Sequence, residues 1–265
     1  CESINKIDKY FDDDPKKTRE SNSMDLINKY CPNNNCSSDE EEIVAGFIML
    51  LNMIGEEDID GEKLVEYAIL WLSYKLNQKT QNGTTTLNDF YTNNIKTNSI
   101  YKGNISNNSD FNMDDIEKKI RSMDIDIKDI SNFYDALKSL CNMHSELEEN
   151  NNQCNKCLEN AGEFFEKCEK VKNAFDINKG SSYLQLWLSL SKDYKEFESN
   201  YNTLWCQNGL PLVACSRSSV TKNTLISIAI IFVAASILLG VSYKYSLFGF
   251  RKRSQKQHLR EKLKK

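Results

Sequence analysis

From Asn223 to Tyr243 the chain runs 21 residues without a formal charge, bounded by Lys222 and Lys244. The middle of the run, Ile226 to Val241, is rich in Ile, Val, Leu and Ala. Leu225, Ile226, Ile230, Phe232, Leu238 and Val241 carry its apolar character, and Ser227, Ser236 and Ser242 are only scattered through it. A buried core helix normally keeps a polar face, and this run has none. About 20 apolar residues at a rise of 1.5 Å cross roughly 30 Å of hydrocarbon, so the run is predicted to be a single transmembrane helix. Tyr243 and Tyr245 stand where an interfacial aromatic belt would lie.

The flanks give the span a direction. After Tyr243 the tail holds nine Lys and Arg, among them Arg251, Lys252, Arg253, Lys256 and Arg260, and one acid, Glu261. The tail is therefore +8, and with a whole-chain charge of −4 the first 243 residues carry −12. Positive charge stays on the cytosolic side, which places the acidic part outside the cytosol. The tail acts as a topology determinant, or it also lies on anionic lipid headgroups. Residues 1–22 are polar and acidic, with no apolar core of a cleavable signal. The chain begins at Cys1 rather than Met, so its start is expected upstream, and the span itself is expected to direct membrane insertion.

The 222 residues before the span suffice for one sizeable domain or two small ones. They are too acidic for nucleic-acid binding, and no Lys/Arg stripe with interleaved aromatics occurs there. Asn is abundant, while the whole chain has only three Pro and ten Gly. That balance favours long helices with polar connections over many tight turns. The apolar periodicity agrees. Ile4, Ile7 and Phe11 share a face within residues 1–14. Residues 15–38 read mainly as loop, and Asp39 as the N-cap of a helix carrying Ile43, Phe47, Leu50, Leu51 and Ile54, ended by Gly55. A second helix runs from Asp60–Gly61 to about Asn77 on Leu64, Ala68, Trp71, Leu72 and Leu76.

Residues 78–86 and 98–110 read as loops around a short helix on Leu87, Phe90, Tyr91 and Ile95. Helix is then expected over Asp114–Met123, along Ile130 to Leu147, along Cys157 to Phe175, and after Gly180 on Leu184, Trp187, Leu188, Tyr194, Phe197, Tyr201 and Leu204. Asn208–Pro211 signals a turn. No segment sustains period-two alternation and no internal repeat is visible. The expected architecture is an all-α helical bundle over 1–205, a juxtamembrane stalk over 206–222, the transmembrane helix over 223–243 and a basic cytosolic tail over 244–265.

All nine cysteines lie on the acidic side of the span, which fits an oxidising exterior. Besides Cys1, the candidates for disulfides are Cys31, Cys36, Cys141, Cys154, Cys157, Cys168, Cys206 and Cys215. Nine is odd, so one thiol is free, bonds another chain, or has its partner upstream. Cys31 with Cys36 would close a small loop, and so would Cys206 with Cys215. Cys141 could reach the Cys154/Cys157 pair, and connectivity stays open.

Cys154 and Cys157 form a CxxC, but at the start of a helix rather than in a βαβ setting. Cys168 lies eleven residues beyond Cys157, on the same face but about 16 Å away, too far for one metal ion. His144 and His258 are the only histidines, and His144 fits a helix face better than a catalytic triad. Asp58 to Gly61 is a faint echo of a calcium loop, but position 69 is Ile69 where a bidentate Glu belongs. Sequons occur at Asn35, Asn82, Asn104 and Asn107, as an Asn-rich chain produces by chance. No catalytic site, metal site, cofactor or small-molecule substrate is indicated, and the oligomeric state is left open.

Five segments together resemble the Plasmodium interspersed repeat (PIR) family of malaria parasites, closest to its rodent-parasite branch. They are ILWLSYKL at Ile69–Leu76, LNDFYTNNI at Leu87–Ile95, ISNFYDALKSLCNMH at Ile130–His144, SSYLQLWLSLSKDYKEF at Ser181–Phe197, and YKYSLFGFRKRSQKQHLREKLKK at Tyr243–Lys265. The last, directly after a membrane span, is the most specific, and Cys1 resembles the start of the family's long second exon.

The resemblance implies a non-enzymatic, variant surface antigen exported into the infected red blood cell, tied to antigenic variation and immune evasion. It implies the bilayer as one partner, and host receptors or antibodies as others. The export pentapeptide R-x-L-x-[E/Q/D] is absent. Segments 78–86 and 98–110 are expected as exposed variable parts. An adhesin, or an internal trafficking or signalling membrane protein, are the alternatives.

Overall fold

The computed structural model describes residues 1–11, 21–55, 59–79, 86–106, 111–148, 154–175, 180–206 and 212. The chain divides into two units, Cys1–Cys215 and Ser216–Lys265, and all described residues belong to the first. The apolar run 223–243 and the basic tail therefore lie outside the described residues. Among the described residues no helix is long and apolar enough to cross a membrane.

The described residues are helical and contain no strand, as the all-α reading expects. The helices are α1 (Glu2–Tyr10), α2 (Ser21–Asn28), α3 (Asp39–Gly55), α4 (Gly61–Lys79), α5 (Leu87–Phe90), α6 (Ser99–Ser106), α7 (Met113–Ser122), α8 (Ile127–Glu148), α9 (Cys154–Asn173) and α10 (Gly180–Asn200). A 3-10 turn, Pro32–Asn34, precedes α3, and π-helical turns Tyr91–Lys96 and Tyr201–Trp205 extend α5 and α10.

Helix α3 is the centre. Nine consecutive residues from Ile43 to Leu51 are buried, and so is Ile54. A helix apolar on every face has to be surrounded, and α1, α2, α4 and α6 all pack on it. Helix α4 then packs on α8 and α7, and α8 pairs with α9 and α10. Gly46 makes a close approach in the core. A Cβ there would stand 2.4 Å from the Phe11 ring and 2.6 Å from Trp71, whose rings meet edge to face at 5.0 Å. Only glycine leaves room for this aromatic pair between α1, α3 and α4.

Several local expectations change. The stretch 15–38, read mainly as loop, contains α2, with Ile27 fully buried. The stretch 98–110, read as loop, contains α6. Asn98 accepts from the backbone N–H of Ile100 and Tyr101 at its start, and Tyr101 and Ile105, one turn apart, are buried. Two apolar residues at i and i+4 suffice once a neighbouring helix supplies the rest of the interface. The N-cap of α3 is Ser38, not Asp39: its hydroxyl accepts from the Glu41 backbone N–H at 3.2 Å. In α10, Leu188 is 48% exposed, and Leu204 in the turn beyond it is 65% exposed. The face that packs is Tyr183, Leu186, Trp187, Leu190, Tyr194 and Phe197.

Candidate functional site

The cysteines set the frame. Cys31 and Cys36 are bonded across the Pro32–Asn34 turn, where Asn33 and Asn34 hold φ values of 54° and 56°. Asn tolerates this left-handed region better than most side chains. Cys1 is bonded to Cys141 of α8, and Cys154 at the start of α9 to Cys206 after the last helical turn. Cys168 is also disulfide-bonded. Cys215 lies outside the described residues.

These pairings differ from two that sequence suggests. Cys141 does not join Cys154 or Cys157, because it stands seven residues before the end of α8, about 10 Å along the helix, and faces α1. Cys206 bonds Cys154 instead of Cys215, which ties the first residue expected in the stalk to the helical body. Cys157 is not in a disulfide: it is the free cysteine among the described residues, and it is fully buried. Burial, helped by Glu146, pushes its thiol up to about 12. A buried neutral thiol beside an engaged Cys154 is no redox pair, because the thiolate is the reactive form.

The remaining candidates resolve into structural roles. His144 is half-buried on α8, its ring 6.2 Å from that of Phe197. Asp60 caps α4, accepting from the backbone N–H of Glu62 at 3.0 Å and Lys63 at 3.3 Å. Asp60 thus serves a helix entry and not a calcium loop; Asp58 lies outside the described residues. Asn35 is exposed and Asn104 half-buried; Asn82 and Asn107 lie outside the described residues. Among those residues no group of three or more His, Cys, Asp or Glu could hold a metal ion.

Two polar constellations escape sequence reading. Asp8 of α1 accepts from the Trp71 indole N–H at 3.0 Å and the Tyr134 hydroxyl at 2.8 Å, and pairs with Lys138 at 2.9 Å. One carboxylate thus joins α1, α4 and α8. The second constellation joins α4, α7 and α10. Lys63 pairs with Asp193 at 2.7 Å, Lys119 with Glu66 at 2.7 Å, and the Ser189 hydroxyl donates to Glu66. Burial holds the Asp193 carboxyl above the usual range even though Lys63 opposes it. Burial, with Asp193 next to it, also drives the Tyr67 hydroxyl far above its ordinary value. Every charge in this cluster faces an opposite one, which is an arrangement for holding helices together. The signal for both clusters was faint: a charged residue at a helical position beside apolar ones says nothing of its partner in a distant helix.

The model of the family described as Plasmodium variant antigen protein Cir/Yir/Bir matches residues 1–244. A solved structure, described as that of a Plasmodium PIR protein ectodomain, is similar at 36% identity and a TM-score of 0.62, over 81% of this chain and 97% of that one. No curated protein matches the chain.

Proposed function

Because the chain belongs to the Plasmodium Cir/Yir/Bir variant antigen family, we propose that it is a non-enzymatic surface antigen, held in the membrane of the infected red blood cell or its internal membranes. The observation that carries this reading is the extent of the family match. It takes in residues 1–244, and so joins the helical body to the apolar run 223–243. In this reading the run anchors the chain in the bilayer, the tail after Lys244 stays in the cytosol, and the helical body stands on the other side. Disulfides support such a role, because they hold a body rigid where glutathione does not reduce them.

The chemistry of the proposed function is display. A core with α3 at its centre fixes the scaffold. A surface position such as Asn35, exposed beside a disulfide and in extended backbone, tolerates substitution because few buried contacts depend on it. Antibodies are the partner this reading implies, and change at such positions would evade them.

The test is localisation of a chain tagged before Cys1 in intact and permeabilised infected cells, combined with protease treatment of intact cells. Tag accessible from outside and lost to protease supports the reading. A tag protected in every life stage would sink the surface role for this chain.

A further inference from the structure

Helices α1, α4 and α8, with Asn160 of α9, line an open groove of about 1330 Å³. Pockets for small metabolites usually fall between about 300 and 1,000 Å³, so this groove suits a short chain of linked units. Its cationic lining comes from all three helices: Lys6 and Lys9 from α1, Lys75 and Lys79 from α4, and Lys138 from α8. Lys6 and Lys9 are exposed one turn apart. Lys79 reaches Asp39 at 2.9 Å, and Lys138 reaches Asp8 and Asn5.

Lys75 is the unusual member. Only 9% exposed, its ammonium is held 5.5 Å from the ring centre of Phe11, 5.6 Å from Tyr74 and 5.9 Å from Trp71. A buried lysine over three rings adds positive charge to the lining at little further cost in side-chain order. Among the described residues, the acids in the lining are Glu2, Asp8 and Glu146. Asp8 is turned to Trp71, Tyr134 and Lys138. Among the described residues of the lining, the five lysines outnumber the three acids, in a chain whose first 243 residues carry −12. A cationic concavity on an acidic body concentrates a small anion there while the rest of the surface repels it.

We propose that this groove binds an acidic oligosaccharide, carboxylated or sulfated, a function that goes beyond display and does not rest on it. The rest of the lining is what sugar hydroxyls meet well: the side-chain amides of Gln78, Asn142 and Asn160, and the half-buried ring of Tyr74. An anionic bilayer is a plane and does not enter a concave groove. A peptide would look for apolar anchor pockets, and this lining is mostly polar and charged.

The test is direct binding to the full chain in non-ionic detergent. The probes are a heparin-derived hexasaccharide for the sulfated source, a sialylated trisaccharide for the carboxylated one, its neutral parent sugar and a polyglutamate peptide. Binding of either acidic glycan, weakening with salt, with no binding of the neutral sugar, is the expected result; which one binds identifies the source. Lys6→Glu with Lys9→Glu should weaken binding about tenfold. Lys102→Glu with Lys128→Glu, the same charge change at exposed sites outside the groove, should leave it within about twofold. Asn142→Ala, which changes no charge, should weaken it severalfold. Binding of neither acidic glycan overturns the proposal. So does equal loss in both double variants, an unchanged Asn142→Ala, or polyglutamate binding as tightly as the glycans.

Discussion

Asp8 shows what a single side chain carries in this protein. Its carboxylate takes an indole N–H, a phenol O–H and a lysine from two other helices. Asp8→Ala would leave the indole and the phenol without their acceptor and Lys138 with Asn5 but no carboxylate, and removing one partner of such a cluster costs more than the cluster contributes net. A loss of about 3 kcal/mol is expected, read from the urea midpoint at unchanged slope. Cys157 makes the opposite case, a reactive group kept inert. Buried, with its thiol raised to about 12, it should resist iodoacetamide in the native chain at neutral pH and react once urea unfolds it. Mass spectrometry of the labelled chain checks this, and prompt native labelling would contradict it. The cysteine positions are visible in sequence, but their pairing is not, because Cys1 and Cys141 are 140 residues apart and only the docking of α1 on α8 brings them together.

At the scale of elements, Gly46 decides how closely α1 and α4 approach α3. Gly46→Ala places a Cβ inside contact distance of Phe11 and Trp71. Overpacking of this kind costs about 1–3 kcal/mol, even though alanine is the better helix former. A lower melting temperature is expected, and no change or a rise would show that the rings can give way. Asp135 on α8 links packing to pH. Burial holds its carboxyl above the usual range, against the pull of Lys167 and Lys170. The folded chain therefore binds this proton more tightly than the unfolded one. Its contribution to stability is fully present below the unfolded value, about 3.9, and is lost as pH rises through the folded value. Asp135→Asn should remove that part of the fall, seen as a flatter plot of urea midpoint against pH over the carboxylate range.

The long helices were readable as elements because their apolar stripes repeat at helical spacing over many turns, as in α3, α4 and α8. Helices α2 and α6 were not. Each is eight residues long, too short for its own periodicity to outweigh the Asn and Ser around it, and each forms because α3 supplies the other half of its interface. The exposed Leu188 in α10 marks the same boundary from the other side: a leucine at helical spacing is not thereby in the core.

For the whole molecule, the disulfides act on the unfolded chain more than on any one contact. The Cys1–Cys141 bond closes a loop of 140 residues. In the chain-entropy account, Cys1→Ser with Cys141→Ser should cost about 3–5 kcal/mol. Thermal unfolding of the double variant beside the parent, without reductant, measures it. A loss under 1 kcal/mol would contradict the chain-entropy account for this bond. The groove of α1, α4 and α8 belongs to this scale too, since its lysines are scattered from Lys6 to Lys138 and become neighbours only in the assembled bundle.

The sequence by itself determined the class of this protein. Helical periodicity, few prolines and cysteines confined to one side of an apolar run are local or additive properties, and they point to a helical, disulfide-bearing body beside a candidate membrane span; the tail motif pointed to the family. Which cysteine meets which, which polar residue is buried against which, and where a groove opens were decided by tertiary structure alone. Each depends on residues far apart in the chain, and their proximity follows from helix packing, which no single segment encodes.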